Sequence, residues 1–375
     1  MSNQSAELNI LRDVVSLTAD LINFPSESRN EQAIADAISA QLLQFDHLEV
    51  LRDGNTVVAR TNLGRAERVV IAGHIDTVPS SGNDVAIHVK PGDKAPVADV
   101  DGSFEVTEDR IYGLGACDMK AGVAIALHLA ATIKNPSRDV TWVFYDCEEI
   151  EVIHNGLKRV VENHPEWLEA SFAVLMEPSN GGVEAGCQGT MRIEISTTGR
   201  RAHTARSWMG SNAIHATAEI LNRLNNYSAA RVVIDGLEYR EGLQAVGISG
   251  GVAGNVVPDF AKVTINHRFA PNRSAADAER HLREVFEGFD LEVVDVVEGA
   301  LPGLERPAAR DFMQAVGAEP KPKFGWTDVA RFSRLGIAAV NFGPANAIYA
   351  HAPNEFVPVE QIKSIESGLA KWLQS

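Results

Sequence analysis

Thiols are scarce in this chain. Three cysteines, Cys117, Cys147 and Cys187, stand among 375 residues. The count is odd and no pair has CxxC spacing, which excludes a disulfide framework and a thiolate zinc site as readings. Positive charge is also in short supply, with 34 Lys and Arg against 50 Asp and Glu and a formal net charge of -16. Nucleic acid and anionic membranes need a basic face, so neither is expected as a partner. Long apolar runs are missing too. The most apolar helical stretch, 123–133, is too short to span a bilayer and carries His128. The opening Met1-Ser-Asn-Gln-Ser-Ala-Glu is polar and holds no apolar core of a signal peptide. These absences point to the cytosol. Internal repeats and low-complexity tracts are lacking as well.

What is present suits a soluble globular enzyme. Hydrophobic residues make up 45% and charged residues 22%. The length exceeds what one compact core organises and fits two domains. Helical stripes run over 8–23 and 31–45, and Asp53-Gly54-Asn55 marks a hairpin turn.

Several strand-like runs then deliver a metal-type residue where they stop. Val69 to Ala72 leads into His74-Ile75-Asp76, and Pro79 halts the run. In extended backbone His74 and Asp76 would point the same way. Val140 to Tyr145 is β-branched and aromatic, and it ends on Asp146-Cys147-Glu148-Glu149. Adjacent carboxylates at such a place repel and are costly to desolvate unless a cation sits beside them. Phe172 to Met176 ends on Glu177-Pro178. In open α/β sheets sites form where strands end, so three such ends make a site. Asp118, in a glycine-rich stretch before a helix, reads equally well as a ligand or as a helix N-cap. The glycines there do not have the spacing of a phosphate loop.

From about Gly182 the pattern becomes β-α-β-β-α-β, the split βαβ arrangement, complete in itself. It reads as an inserted α+β domain over 184–296, with 1–183 and 297–375 forming the α/β domain that surrounds it in sequence. Within the insert, 261–269 alternates, with Lys262, Thr264, Asn266 and Arg268 on a polar face.

Collected, the candidates are His74 and His351 with Asp76, Asp118, Glu148, Glu149 and Glu177. Imidazole with carboxylate suits Zn²⁺, Mn²⁺ or Co²⁺, and the absence of thiolates favours a catalytic site. Two divalent ions carry four positive charges, and Asp118, Glu149 and Glu177 would offset three. Such a pair makes water acidic and polarises a carbonyl. Glu148 is the spare carboxylate, placed to accept a proton and pass it to a leaving amine.

His74-Ile-Asp76, Gly115-Ala-Cys-Asp118-Met-Lys, Asp146-Cys-Glu148-Glu149, Glu177-Pro178 and Ala350-His351-Ala-Pro-Asn-Glu355 together resemble the ligand motifs of the M20 metallopeptidase/deacylase family, in order and spacing over essentially the whole chain. The resemblance implies a metal-dependent exopeptidase-like domain, with a mixed, largely parallel sheet between helices. It also implies a ferredoxin-like lid through which a homodimer forms. It implies two Zn²⁺, replaceable by Co²⁺ or Mn²⁺. His74, Asp118 and Glu177 would hold one ion, and Asp118, Glu149 and His351 the other. Glu148 would be the general acid/base and Asp76 would orient His74.

Within the family the chain is similar to the desuccinylase branch, through 186–190, 201–208, 251–258 and 266–269. That likeness implies a small succinylated diamino acid, N-succinyl-LL-2,6-diaminopimelate, as substrate. It puts His203 on the oxyanion from a partner subunit, Asn255 on the substrate, and Arg268 on the succinyl carboxylate, which a planar bidentate cation suits. Phe324-Gly325-Trp326-Thr327-Asp328 departs from the branch's pattern by placing Trp where Gly is common, with Gly325 and Thr327 expected as contacts. A sister activity (N-acetylornithine deacetylase, aminoacylase or dipeptidase) is the nearest rival, and a non-catalytic peptide binder is a more distant one.

Overall fold

The computed structural model describes residues 8–97 and 102–375. Met1 to Glu7, from which the lack of a leader was read, lie outside the described residues. The chain divides into two compact units. One comprises the residues up to Ala185 with Gly303–Lys321 and Arg331–Ser375; the other comprises Gly186–Pro302 with Pro322–Ala330.

The boundaries differ from the sequence expectation on both sides of the insert. Residues 184–185 lie in a strand of the first unit's sheet, whereas 297–302 and 322–330 group with the second unit. Two contacts tie 322–330 there. The Trp326 indole N–H donates to the Glu298 carbonyl at 3.0 Å, and the Cys187 thiol meets the Thr327 carbonyl at 3.7 Å. Neither contact leaves a mark on hydrophobic periodicity.

The principal strands, in chain order, are β1 (Glu49–Asp53), β2 (Thr56–Arg60), β3 (Arg68–His74), β4 (Asp139–Tyr145), β5 (Phe172–Leu175), β6 (Val183–Ala185), β7 (Gly189–Thr198), β8 (Gly242–Gly250), β9 (Phe260–Phe269), β10 (Leu291–Val297) and β11 (Ala338–Asn341). In the first unit the sheet runs β1-β2-β4-β3-β5-β11-β6. Its centre, β4-β3-β5-β11, is parallel, and its flanks are antiparallel. Parallel strands are covered on both faces, so they carry apolar residues without alternation. Every residue of β4 is buried, as its run of Val, Trp, Phe and Tyr requires.

Helix Lys120–Thr132 is apolar almost all round and correspondingly buried. It approaches the end of β5 so closely that a Cβ on Gly122 would lie 2.5 Å from the Met176 carbonyl oxygen. Glycine is what allows this approach. The outcome brings the start of the helix, and the Asp118 loop before it, next to the end of β5.

In the second unit the sheet is antiparallel, ordered β8-β9-β7-β10. Helix Ala275–Val285 and a helical segment broken at Thr217 (Ala213–Ala216, then Ala218–Asn225) complete the β-α-β-β-α-β order. Burial alternates along β9, with Lys262, Thr264, Asn266 and Arg268 partly exposed. His267 falls on the buried face beside Ile265 and Phe269. A hairpin, Arg231–Ile234 with Leu237–Arg240, is an addition the pattern reading lacked, although its Asp235-Gly236 turn is a strong signal.

Candidate metal centre

Register alone gathers the first residues. In the parallel ladders His74 pairs with Tyr145, and Ala72 pairs with Leu175. Counting on, the Glu148-Glu149 doublet and Glu177 follow strands that stop level with His74. All three strand ends therefore deliver their carboxylates and imidazole to one edge of the sheet.

His74, Asp118 and Glu149 each offer a ligand atom, and these atoms lie within 4.8 Å of one another. The His74 Nε2 is 2.9 Å from Asp118 Oδ1, and the His351 Nε2 is 3.6 Å from Asp118 Oδ2. The two oxygens of one carboxylate thus face two different imidazoles. The His351 Nε2 is also 3.0 Å from Glu149. Asp118 is not a helix cap: the helix begins at Lys120, and the cap position is Met119, without a side-chain bond. That removes the cap reading the sequence left open. Glu177, after the end of β5, is buried, and Glu148, next to Glu149, is partly exposed.

The electrostatics show what such a group demands. Burial opposes a charge on His74, yet hydrogen bonds to Asp118 and Asp76 raise its pKa well above the ordinary value. His351 is pushed up to about 10 by its hydrogen bonds to Asp118 and Glu149. Burial would raise Asp118, but the two imidazoles hold it far below the usual carboxylate range. The carboxylates favour positive charge between them. Nitrogen and oxygen donors converging in this way, without thiolate, fit Zn²⁺ or a similar divalent ion.

Asp76 has two tasks. Its carbonyl accepts from His74 Nδ1 at 3.1 Å, which turns Nε2 toward Asp118, and its carboxylate lies 3.4 Å from the same nitrogen. The carboxylate also accepts the backbone N–H groups of Glu148 and Glu149, at 3.0 and 3.1 Å, and the Ser28 hydroxyl at 2.7 Å. Asp76 therefore fixes the doublet's backbone as well as the histidine. Its pKa is held down by hydrogen bonds from His74, Ser28 and Glu148 against the effect of burial.

Sequence reading assigned no task to Glu31, Lys120 or Glu355. Glu31, fully buried, accepts from the Cys147 N–H and thiol at 3.2 Å. Lys120 donates to the Phe24 carbonyl at 2.7 Å, and burial takes its pKa down to about 7. Burial takes Glu355 up to about 7, against three hydrogen bonds from the Asp118 loop. The only advance signal was a Lys and a Glu within motifs already singled out for other residues.

The remaining expected site residues belong to the second unit. His203 and Asn255 are neighbours there: His203 pairs with Val256 across a two-residue ladder, and the Asn255 carbonyl accepts from Thr204 at 3.0 Å. Both side chains are exposed. On the polar face of β9, Lys262 pairs with Glu194 and Asn266 bonds to Thr190. Arg268, partly buried on that face, has no hydrogen-bond or ion-pair partner among the described residues. Gly325 is exposed, and Thr327 is buried.

Known proteins share this architecture. Over 369 residues the chain is 50% identical to a Mycobacterium tuberculosis protein provisionally named a succinyl-diaminopimelate desuccinylase, covering 98% of this chain and 99% of that one. It is 44% identical to a Corynebacterium glutamicum succinyl-diaminopimelate desuccinylase, covering 98% and 97%. Among solved structures, a tripeptidase from Staphylococcus aureus superposes with a TM-score of 0.75 at 21% identity, covering 98% of both chains. A dinuclear metal-binding peptidase of the M20 family from Bacillus subtilis gives 0.68 at 18%, covering 97% of both. Residues 70–375 match the family described as Peptidase family M20/M25/M40, and the chain, with its ligand-type residues gathered at the strand ends, belongs to that family.

Proposed function

We propose that this chain is a dinuclear zinc amidohydrolase that cleaves N-succinyl-LL-2,6-diaminopimelate to succinate and LL-2,6-diaminopimelate, in lysine and peptidoglycan precursor synthesis. The observation that carries the dinuclear reading is Asp118, one carboxylate whose oxygens face two separate imidazoles. The substrate rests on the two desuccinylases to which the chain is 50% and 44% identical over nearly its full length.

His74, Asp118 and Glu177 would hold one ion and Asp118, Glu149 and His351 the other, with Co²⁺ or Mn²⁺ able to substitute. When bound, the ions polarise the acyl carbonyl and lower the pKa of water. Glu148 takes a proton from the water that adds to the amide carbon. It then delivers that proton to the amine nitrogen as the C–N bond breaks. Asp76 holds Glu148 in place through the backbone bonds described above. His203, from the partner subunit of a homodimer, donates to the developing oxyanion. Asn255, Gly325 and Thr327 position the substrate, and Arg268 pairs with the distal succinyl carboxylate. A partly buried guanidinium with no partner among the described residues suits that task.

The second unit serves as lid and dimer surface. Val246 and Ile248 are exposed on its edge strand β8, which supports this assignment. The compartment is the cytosol.

A substrate panel tests the reading. Zinc-loaded protein should hydrolyse the succinyl diamino acid faster than its acetyl counterpart. Arg268→Ala should raise KM for the succinyl substrate about 10- to 150-fold, the worth of a charge-assisted hydrogen bond. It should leave the acetyl substrate nearly unchanged. Preference for acetyl substrates, or indifference to Arg268→Ala, refutes the specificity. Hydrolysis that chelation does not abolish, or that zinc or cobalt does not restore, refutes the metal chemistry.

A further inference from the structure

The loop that carries Asp118 has almost no regular structure of its own. It joins strand Arg110–Tyr112 to helix Lys120–Thr132, with Gly115 at a positive φ of 77°. A ligand shared by two ions must be placed well, and an irregular loop does not place it unaided.

Three of the loop's backbone N–H groups converge on one side chain. Cys117 and Asp118 donate to Glu355 Oε1 at 2.9 and 3.0 Å, and Gly115 donates to Glu355 Oε2 at 3.1 Å. Glu355 is 2% exposed, so water does not compete for these bonds. The ladder between Phe356–Pro358 and Arg110–Tyr112 pairs Phe356 with Tyr112 and so sets Glu355 beside Gly113. The Gly113 N–H, in turn, donates to the Glu355 carbonyl at 3.1 Å. Four residues before Glu355, on the same segment, stands His351, at a positive φ of 62°.

We infer that Glu355 is a positioning residue for the metal centre: its carboxylate clamps the Asp118 loop and locks the spacing between Asp118 and His351. One segment thus supplies a ligand for the second ion and the clamp for the carboxylate that both ions share. The clamp needs a group that only accepts. In Glu355→Gln the volume is kept, but an NH₂ replaces one oxygen and faces backbone donors, so at least one of the three bonds is lost. Glu355→Asp keeps the charge but is one methylene short.

The inference rests on the metal reading proposed above and not on the choice of substrate. The test is equilibrium dialysis of the full chain against buffered free Zn²⁺, together with the visible absorption of the Co²⁺-loaded protein. Circular dichroism is used to establish that each variant is folded. Wild type should take up two ions. Folded Glu355→Gln should bind at least one of them about 10- to 100-fold more weakly, the usual effect of removing a group that orients a metal ligand. Its Co²⁺ spectrum should change, and kcat should fall with KM nearly constant. Glu355→Asp should lie between the two.

Should Glu355→Gln not fold, Gly115→Ala perturbs the same clamp from the other side. A Cβ there meets Lys120 and Thr77 side-chain carbons at 3.0 Å, in a backbone conformation that favours glycine. It should also weaken metal uptake. Wild-type metal affinity and spectrum in folded Glu355→Gln, or in Gly115→Ala where that is the variant that folds, overturn the inference. Failure of the wild type itself to bind two ions overturns the underlying metal reading.

Discussion

His267 should make the second unit sensitive to acid. It sits in β9, opposite Leu243 and Met191, fully buried, and neither ring nitrogen has a hydrogen-bond partner among the described residues. Burial, then the nearby His281 and Arg273, take its pKa from 6.5 down to about 4. Above pH 6.5 the ring is neutral in the folded and unfolded chain alike. Between 6.5 and about 4 the unfolded chain binds a proton that the folded chain refuses, so stability falls as pH falls. At roughly 1.4 kcal/mol per pH unit, the loss amounts to about 3 kcal/mol once pH 4 is reached. His267→Leu removes the titrating group and the unpaired ring nitrogens together. Urea denaturation of full-length wild type and variant across this window, read by hydrogen-exchange protection in β7 and β9, isolates the effect. The variant should lose about 3 kcal/mol less than wild type between neutral pH and pH 4. Parallel stability curves for the two proteins would refute the reasoning.

Two further outcomes follow from the geometry. Glu148→Gln should lower kcat about 10²- to 10⁴-fold while metal content by dialysis stays at the wild-type level, if, as proposed, the side chain moves a proton and holds no ion. Gly122→Ala forces a Cβ to within 2.5 Å of the Met176 carbonyl, a backbone atom with little room to yield. It should cost about 1–3 kcal/mol of stability, measured by denaturation, and should weaken zinc uptake because the helix start moves with Asp118.

The strand ends were legible because a buried parallel strand advertises itself as an unbroken apolar run, and a ligand placed just after it stands out. His74, Glu149 and Glu177 stand out as candidates in that way. Asp118 was not decidable from pattern, since a ligand and a helix cap use the same residue type. What separates them is the helix start at Lys120, one residue later than a cap at Asp118 allows. Glu31 and Glu355 were invisible for another reason. Apart from the Cys147 thiol on Glu31, their partners are backbone N–H groups, which every residue carries, so little in the partner's identity marks the contact. His267 was overlooked because its neighbours on β9 define the two faces so cleanly that a single polar residue on the apolar side leaves the alternation intact. Other histidines have other partners: His88 meets Asp109, His128 meets Glu366, and His164 stacks on Trp167. Pro322–Ala330 joined the second unit through contacts to Cys187 and Glu298 that span more than a hundred residues in one case.

The pairing of Phe356–Pro358 with Arg110–Tyr112 also orders events during synthesis. A ribosome releases His74, Asp118, Glu149 and Glu177 early, then the whole of the second unit, and only afterwards the segment with His351 and Glu355. Until that segment leaves the exit tunnel, the nascent protein lacks one imidazole and the clamp on Asp118. On the metal reading proposed above, loading with a pair of ions therefore waits until residues 351–355 have emerged.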